Sequence, residues 1–176
     1  MCGGVIFPYR KEYKETLDKL YSQADITEFE KAGQIKSLYW QKTEPVLPVL
    51  TVSEEDDAPK YELLLWGNRN KDIPLPQTGW ARLSSIEEGK WSYLRPQPVL
   101  IPVSYGVEKG KWFEIEHGIK GVIAQRAREK RVYMLTDEAN EEYLTVTHHA
   151  RMPVLEKQGG FLWLPNDPFG TNYAHV

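Results

Sequence analysis

Short apolar runs separated by turn-forming residues constrain the fold of this chain more than any other feature of its sequence. Beyond residue 45 the runs are rich in Val, Ile, Leu and aromatic residues, and Pro, Gly or charge clusters bound them, which is typical of strands. They cover residues 46–52, 61–66, 99–103, 112–115, 121–124 and 132–135. Proline within 46–52 and 99–103 predicts edge strands or bulges at those two places. The pattern as a whole predicts a mainly antiparallel sheet.

Helical signals are fewer and lie around the predicted strands. Apolar residues at i, i+4, i+7 and i+8 predict one amphipathic helix, through Tyr13, Leu17, Leu20 and Tyr21. Residues 26–35 form a weaker candidate, and the capping-box spacing from Ser85 to Glu88 predicts a helix at 84–90. Residues 136–146 begin with cap residues and acids and predict another short helix. We therefore expect an α+β fold with a mainly antiparallel, curled or barrel-like sheet and a few peripheral helices.

Composition narrows the class of protein. A chain of 176 residues fits a single domain, residues 1–176, and 41% hydrophobic residues are typical of a folded protein. No apolar run approaches the roughly 20 residues that span a bilayer, and residues 1–15 lack the pattern of a signal peptide. We therefore expect a cytoplasmic monomer with no membrane partner. The single cysteine excludes an internal disulfide and a cysteine-rich zinc site.

Cys2 is the first candidate for chemistry. Removal of the methionine before this small residue would leave an α-amine, of pKa about 7.7–8.0, beside a thiol of about 8.5. Such a 1,2-aminothiol condenses with an aldehyde: the amine forms a Schiff base, and the thiolate then closes a five-membered thiazolidine. Gly3 and Gly4 leave the backbone free to approach a ligand. The alternative is an incidental cysteine near a frayed terminus.

Two further segments carry candidate residues. Glu108 follows the apolar run 99–103 and is either a general acid or base in a cleft or an exposed residue of a Gly-containing turn. In residues 147–155, a histidine beside Arg151 either transfers protons while the guanidinium binds a phosphate, or belongs to a solvated loop. Adjacent His148 and His149 do not predict a metal site, because no Cys or His cluster completes a set of ligands. We expect no metal and no other cofactor.

The order of these features along the chain resembles the SOS-response-associated peptidase (SRAP) family. The matching pieces are an N-terminal MCG, a Trp-Gly pair after a strand, an x-Ala-Arg, an LIPV leading to a Glu, a TDEAN and an H-x-RMPVL. The resemblance runs from Cys2 to about Leu155. It is most specific within residues 135–155, where the family reads T-x-x-A-N followed by H-x-R-M-P.

The resemblance implies a function in the DNA damage response. Family members bind single-stranded DNA and crosslink covalently to abasic sites through the N-terminal cysteine, which removal of their own Met exposes; hence the name peptidase. An abasic site carries a latent aldehyde at C1′, which matches the aminothiol chemistry of Cys2. The resemblance therefore implies a self-processing protein that forms a thiazolidine with damaged DNA.

Site residues follow from the matched motifs. The resemblance makes Cys2 the nucleophile, Glu108 the group that orients or deprotonates its amine, and His149 a proton shuttle to the sugar ring oxygen. The implied DNA-binding residues include two arginines that grip phosphates and a tryptophan that packs against an unstacked base or, alternatively, in the core. These residues are Gly3, Trp66, Arg82 and Arg151.

Several positions depart from the family pattern. The family's Asn-Ala-Arg-x-Glu reads Trp80-Ala81-Arg82-Leu83-Ser84, its Asn near the first strand is Trp40, and its Arg after MCG is Gly4. Asn68 or Asn70 is a candidate replacement for the missing Asn. These departures support a second hypothesis, a diverged SRAP-like domain that binds nucleic acid without crosslinking. A third is an unrelated cysteine hydrolase that uses Cys2 with His149.

The charge of the chain limits how it binds DNA. With a net charge of −3, affinity must come from a local basic patch rather than from the whole surface. Candidates are Arg69, Arg82, Arg151 and the basic run 126–131. The alternative for that run is a solvated turn between two strands.

Overall fold

The fold is α+β, with two mostly antiparallel sheets and a few short helices. The computed structural model describes residues 2–52, 54–55, 57–157, 160–165 and 167–169. The strands are β1 (Gly4–Pro8), β2 (Gln34–Leu38), β3 (Val46–Val52), β4 (Pro59–Leu65), β5 (Trp80–Arg82), β6 (Gln97–Ile101), β7 (Tyr105–Glu108), β8 (Lys111–Glu114), β9 (Ile119–Arg126), β10 (Glu129–Glu138), β11 (Arg151–Pro153) and β12 (Leu162–Trp163). The α-helices are α1 (Lys14–Leu20), α2 (Gln23–Ala32), α3 (Leu83–Glu87) and α4 (Glu141–Thr147), and 3-10 turns cover Lys11–Tyr13 and Ser92–Leu94.

Strand order separates the two sheets. Within the described residues, the smaller sheet runs β12-β8-β7-β1-β2, and the larger runs β11-β10-β9-β6-β3-β4 with β5 parallel to β10. A single bridge between Trp66 and Val132 brings the end of β4 back to β10. The larger sheet therefore curls, but neither sheet closes into a barrel, so the barrel-like alternative is not what the chain adopts.

One apolar core joins the two sheets. Val5 and Phe113 from the smaller sheet share a cluster of buried side chains with Val49 and Ile123 from the larger one. Leu17 of α1 and Ile26 of α2 enter the same cluster and hold the helices against it. A fully buried aliphatic or aromatic side chain contributes about 1.5–3 kcal/mol of transfer free energy, so this shared core fixes the sheets relative to each other.

The helix boundaries follow local capping chemistry. The Ser22 hydroxyl accepts a hydrogen bond from the Asp25 amide at the start of α2, and Gly33 ends that helix at a φ of 69°. The Asn140 side chain does the same for the Tyr143 amide at the start of α4. The predicted helix at 136–146 is therefore shifted: residues 136–138 still pair with β11 as part of β10, and the helix begins only at Glu141.

The two proline-containing strands are not edge strands, which corrects the expectation from the sequence. β3 and β6 both lie inside the larger sheet. β3 and β6 pair with each other only at Leu50 and Leu100, so Pro48 and Pro98 lie outside that pairing. Proline is tolerated there because no hydrogen bond between β3 and β6 requires the backbone N–H that proline lacks. In the part of the chain that the structure describes, no helix has the length and apolar character needed to cross a membrane.

Candidate active site around Cys2

Strand pairing places Cys2 beside Glu108. β1 runs antiparallel to β7 with Gly4 opposite Val107, and the Gly3 amide donates a 3.0 Å hydrogen bond to the Val107 carbonyl. Cys2 therefore lies next to the end of β7, where Glu108 ends the strand. Both side chains are buried, at 0% and 3% exposure. Glu108 is therefore not an exposed residue of a Gly-containing turn.

Helix α4 supplies two more polar groups. The Tyr143 hydroxyl donates to Glu108 Oε2 over 3.4 Å, and Tyr143 is itself fully buried. α4 then ends at His148, whose φ of 56° turns the chain, so that the next residue, His149, points back towards Glu108. His149 Nε2 lies 4.0 Å from Glu108 Oε1. The structure thus brings Cys2, Glu108 and His149 to one site, with Tyr143 beneath them.

The backbone of β11 holds the His149 ring. The Arg151 amide donates to Nδ1 over 3.1 Å, and the Arg151 carbonyl oxygen lies 3.2 Å from the same nitrogen. A neutral ring that accepts from the amide carries its proton on Nε2, facing Glu108. A protonated ring instead donates from Nδ1 to the carbonyl. The ring keeps a partner in both protonation states, as a proton shuttle requires.

Burial sets the pKa directions at the site. Burial raises the pKa of the Cys2 thiol from 9.0 to about 12, and the Glu108 carboxylate adds to this effect. Burial likewise raises the pKa of Glu108 and lowers that of His149. All three shifts oppose the charged forms. The Cys2 thiol therefore stays protonated near neutral pH, and its hydrogen goes to the Gly4 carbonyl over 3.0 Å.

Trp80 covers the backbone of Cys2. Its indole nitrogen donates a 3.0 Å hydrogen bond to the Cys2 carbonyl, and its ring lies 4.6 Å from Tyr39 and 5.8 Å from Trp66, centroid to centroid. Trp40 adds to this group: its ring lies 4.7 Å from Tyr39 and is 65% exposed. Four aromatic residues therefore form a group beside Cys2, and Trp40 is its exposed member. Two of them, Trp40 and Trp80, stand where the resemblance led us to expect asparagine.

Two glycines make room for this arrangement. A Cβ at Gly106 would lie 2.6 Å from the Phe113 ring and 2.9 Å from Cys2 Sγ. A Cβ at Gly4 would lie 2.5 Å from a Leu38 methyl and 2.9 Å from one of Val107. The space that an arginine side chain would need at position 4 is thus occupied. The absence of a side chain at Gly106 leaves room for the Cys2 thiol.

The predicted DNA-binding residues differ in their surroundings. Arg82 is exposed at the end of β5, opposite Thr136. The Arg151 guanidinium donates to the carbonyl and hydroxyl of Thr136, over 2.9 and 3.1 Å. Gly3 is buried, and both its amide and its carbonyl bond to neighbouring backbone. Trp66 is buried with its indole bonded to the Gly79 carbonyl, so it packs in the core and presents no face to a base.

Neither candidate replacement for the missing asparagine reaches Cys2. The Asn68 side chain is buried and donates to the carbonyls of Asn70, Ile73 and Leu75, which fixes that loop. The Asn70 side chain accepts from the Asp72 amide. The loop uses both amides for its own conformation.

The residues of the basic run 126–131 have different surroundings. Ala127 and Arg128 form the turn between β9 and β10, as the solvated-turn alternative predicts. Arg131 is buried instead and pairs with Glu44 and Glu129 over 3.2 and 3.4 Å. Arg69 donates to the carbonyls of Tyr39 and Gln41, beside the aromatic group.

Sequence reasoning missed Tyr143 and misjudged Trp80. Tyr143 is one of the two buried residues of α4, and its amide donates to the Asn140 side chain that caps the helix. Nothing in the sequence pattern separated its hydroxyl from that of any other buried tyrosine. Trp80 was a departure from a motif, and only the fold shows its bond to Cys2. Among the described residues, no group of three or more His, Cys, Asp or Glu side chains is arranged to hold a metal ion.

Comparison with known proteins adds no identification. No family model matches the chain, and neither a curated protein nor a solved structure is detectably similar to it.

Proposed function

We propose that this protein binds single-stranded DNA and crosslinks to abasic sites through Cys2 once Met1 has been removed. The observation that carries the proposal is the burial of Glu108 beside Cys2, with His149 4.0 Å from its carboxylate. The resemblance to the SRAP family led us to expect these three residues in one site. Sequence separation alone, from residue 2 to residues 108 and 149, gives no reason for them to meet.

The proposed reaction begins with the amine rather than the thiol. Because burial raises the pKa of the Cys2 thiol, its thiolate is scarce at neutral pH, whereas an α-amine has a pKa near 8. The amine of Cys2 attacks C1′ of the ring-opened sugar, and a proton passes to the former carbonyl oxygen. The product is a carbinolamine.

Glu108 and His149 then serve the proton transfers. Glu108, whose pKa is raised by burial, donates a proton as the carbinolamine loses water and becomes an iminium ion. The thiol gives its proton to the carboxylate, and sulfur attacks C1′ to close the thiazolidine. The balance is one aldehyde and one aminothiol in, one thiazolidine and one water out. His149, with Nε2 towards Glu108, assists opening of the sugar ring by protonating its oxygen.

The raised thiol pKa also argues against a cysteine hydrolase. Thiolate–imidazole catalysis needs a cysteine pKa well below 8.5, which an adjacent imidazolium provides. Here burial raises the pKa of the Cys2 thiol instead, the Glu108 carboxylate adds to this effect, and the thiol bonds to the Gly4 carbonyl.

A diverged binding domain is the second candidate function. One observation favours it: Cys2 is fully buried and Trp80 is bonded to its carbonyl, so a DNA aldehyde must displace packed groups to reach the amine. This candidate predicts reversible, salt-sensitive binding without a covalent product.

A denaturing gel separates the two functions. Protein whose Met1 removal is verified by mass spectrometry is incubated with single-stranded DNA that carries one abasic site. We expect a shifted band that survives heat and detergent, requires the abasic site and is absent with Cys2→Ala. A folded protein that binds the DNA but gives no such band supports the diverged domain. A band that persists with Cys2→Ala rules out the proposed chemistry.

A further inference from the structure

A basic groove lies at the start of β10, where a hairpin joins it to β9. A cavity of about 520 Å³ opens between the 3-10 turn Ser92–Leu94 and the hairpin that joins β9 to β10. Four of its lining residues are cationic and exposed: Arg95, Arg126, Arg128 and Lys130. In a chain of net charge −3, this concentration of positive charge is a local exception.

The charges of the groove are poorly neutralised from within. Glu129 is the acidic residue of its lining, and that carboxylate is bonded to buried Arg131. Lys130 pairs with Glu62 over 3.5 Å. In the part of the chain that the structure describes, Arg95, Arg126 and Arg128 have no carboxylate within salt-bridge distance. Three guanidinium groups therefore remain to attract an anion.

An aromatic ring stands in the same groove. Tyr93 is 61% exposed, and the Arg126 guanidinium lies 5.5 Å from its ring centroid. Exposed aromatic rings next to cationic side chains are how proteins hold single strands, because bases stack on the rings while phosphates meet the charges. A free phosphate has no aromatic face to stack on the ring, whereas an unpaired base has one. The ring thus favours a nucleic acid over a free phosphate.

We propose that this groove is a second contact site for single-stranded nucleic acid, separate from the Cys2 site. Arg95, Arg126 and Arg128 contact phosphates, and Tyr93 stacks on an unpaired base. The groove lies at the start of β10, and Glu138, which lies opposite Arg151 of β11, is at the end of that strand. Ten residues at roughly 3.3 Å each put about 30 Å between the groove and Arg151. The inference holds for reversible binding whether or not Cys2 forms crosslinks.

Binding of an undamaged oligothymidine in a Cys2→Ala background tests the groove without involving the crosslink. Fluorescence anisotropy at several salt concentrations compares Arg126→Gln/Arg128→Gln with Lys11→Gln/Lys31→Gln, which removes the same charge from exposed sites in the helical segment. We expect the groove variant to bind at least 10-fold more weakly. The slope of log affinity against log salt concentration should fall by about 1.4, because each of the two lost phosphate contacts on a single strand contributes roughly 0.7. The control should change less than twofold.

The ring is tested separately. We expect Tyr93→Ala to weaken binding at least fivefold and Tyr93→Phe to retain it, since a phenyl ring still stacks. Equal losses in the groove and control variants would reduce the effect to overall charge and overturn the proposal. So would binding to vesicles containing phosphatidylserine that is as tight as binding to the oligonucleotide and equally sensitive to the arginine changes. A crosslink that forms normally in these variants, with weaker reversible binding, leaves the proposed function intact.

Discussion

The indole nitrogen of Trp80 donates a hydrogen bond to the carbonyl of Cys2, 3.0 Å away, and so ties the start of the chain to the larger sheet. Gly3 is held at the same time by Val107 of the smaller sheet and by Tyr39, the residue that follows β2. Cys2 is therefore fixed from both sheets. Hydrogen bonds to the backbone on either side of the thiol therefore determine how Cys2 is oriented.

Removing the indole N–H should loosen Cys2. We expect Trp80→Phe to lower the free energy of unfolding by about 1 kcal/mol, because the buried Cys2 carbonyl loses its donor. The crosslink should also form more slowly, since the amine is less well positioned. Trp163→Phe is the matched control: it removes an indole bond to Glu142 at an exposed site, and neither quantity should change much. Chemical denaturation and a crosslinking time course provide the measurements.

Replacing the buried carboxylate should slow the chemistry without unfolding the protein. We expect Glu108→Gln to slow crosslinking by 100-fold or more, the range of a general acid–base contribution, while DNA binding persists. Glu114→Gln removes an exposed carboxylate one strand away and should react like the native chain. A Glu108→Gln protein that crosslinks at the native rate would remove Glu108 from the mechanism.

The raised pKa of the Cys2 thiol predicts how stability depends on pH. Because the folded-state pKa is about 12 and the reference value is 9.0, the unfolded chain loses the thiol proton first as pH rises. The stabilisation is fully present below pH 9 and is lost between pH 9 and 12, at about 1.4 kcal/mol per pH unit. From pH 8 to 10 the native chain should lose about 1.4 kcal/mol more than Cys2→Ala. Equal losses would place the thiol in contact with water.

A side chain at Gly106 should disturb both packing and reactivity. We expect Gly106→Ala to destabilise the protein by about 1–3 kcal/mol, because its methyl group collides with Phe113 and with Cys2 Sγ. Gly160→Ala is the control, since there the nearest atom to an added Cβ is 3.7 Å away. Thermal unfolding of the two variants measures the difference, and comparable melting temperatures would contradict the steric argument.

The exposed ring of Trp40 should contribute to DNA binding if the proposed function is correct. It belongs to the aromatic group beside Cys2, through Tyr39, and a base stacked there is worth about 1–3 kcal/mol. We expect Trp40→Ala to weaken binding of abasic single strands by at least fivefold. Val52→Ala, an equally exposed apolar residue on β3, should have no effect. Quenching of tryptophan fluorescence by DNA, lost in Trp40→Ala, would identify the ring directly.

Local sequence patterns predicted where the strands lie along the chain well, and the order of the strands in the sheets poorly. Residues 46–52 form β3 with those bounds, because apolar β-branched residues favour a half-buried pleated surface wherever they lie. The order of strands depends on which surfaces pack together, so the proline rule misplaced β3 and β6 at edges. The boundary at residues 136–141 was wrong because pairing with β11 outweighed the helix signal of the acidic residues.

At the site, the sequence indicated which candidate residues to look for but not what surrounds them. Cys2, Glu108 and His149 were found by chemistry and by resemblance, and the structure places them together. For Trp66 the sequence left two alternatives, stacking on a base or packing in the core, since nothing in a Trp-Gly pair distinguishes them; at 1% exposure the ring packs in the core. Tyr143 was missed because a buried tyrosine in a helix normally signals packing alone.

The way in which Gly3 is held has a practical consequence for anyone who produces this protein. Its amide and carbonyl are both bonded within the sheet, so the chain cannot swing aside at that point. Any residue fused ahead of Cys2 would turn its α-amine into a peptide nitrogen, which cannot condense with an aldehyde. An affinity tag at the amino end would therefore abolish the aminothiol itself, and only protein with a free Cys2 amine can be used to measure its reactivity.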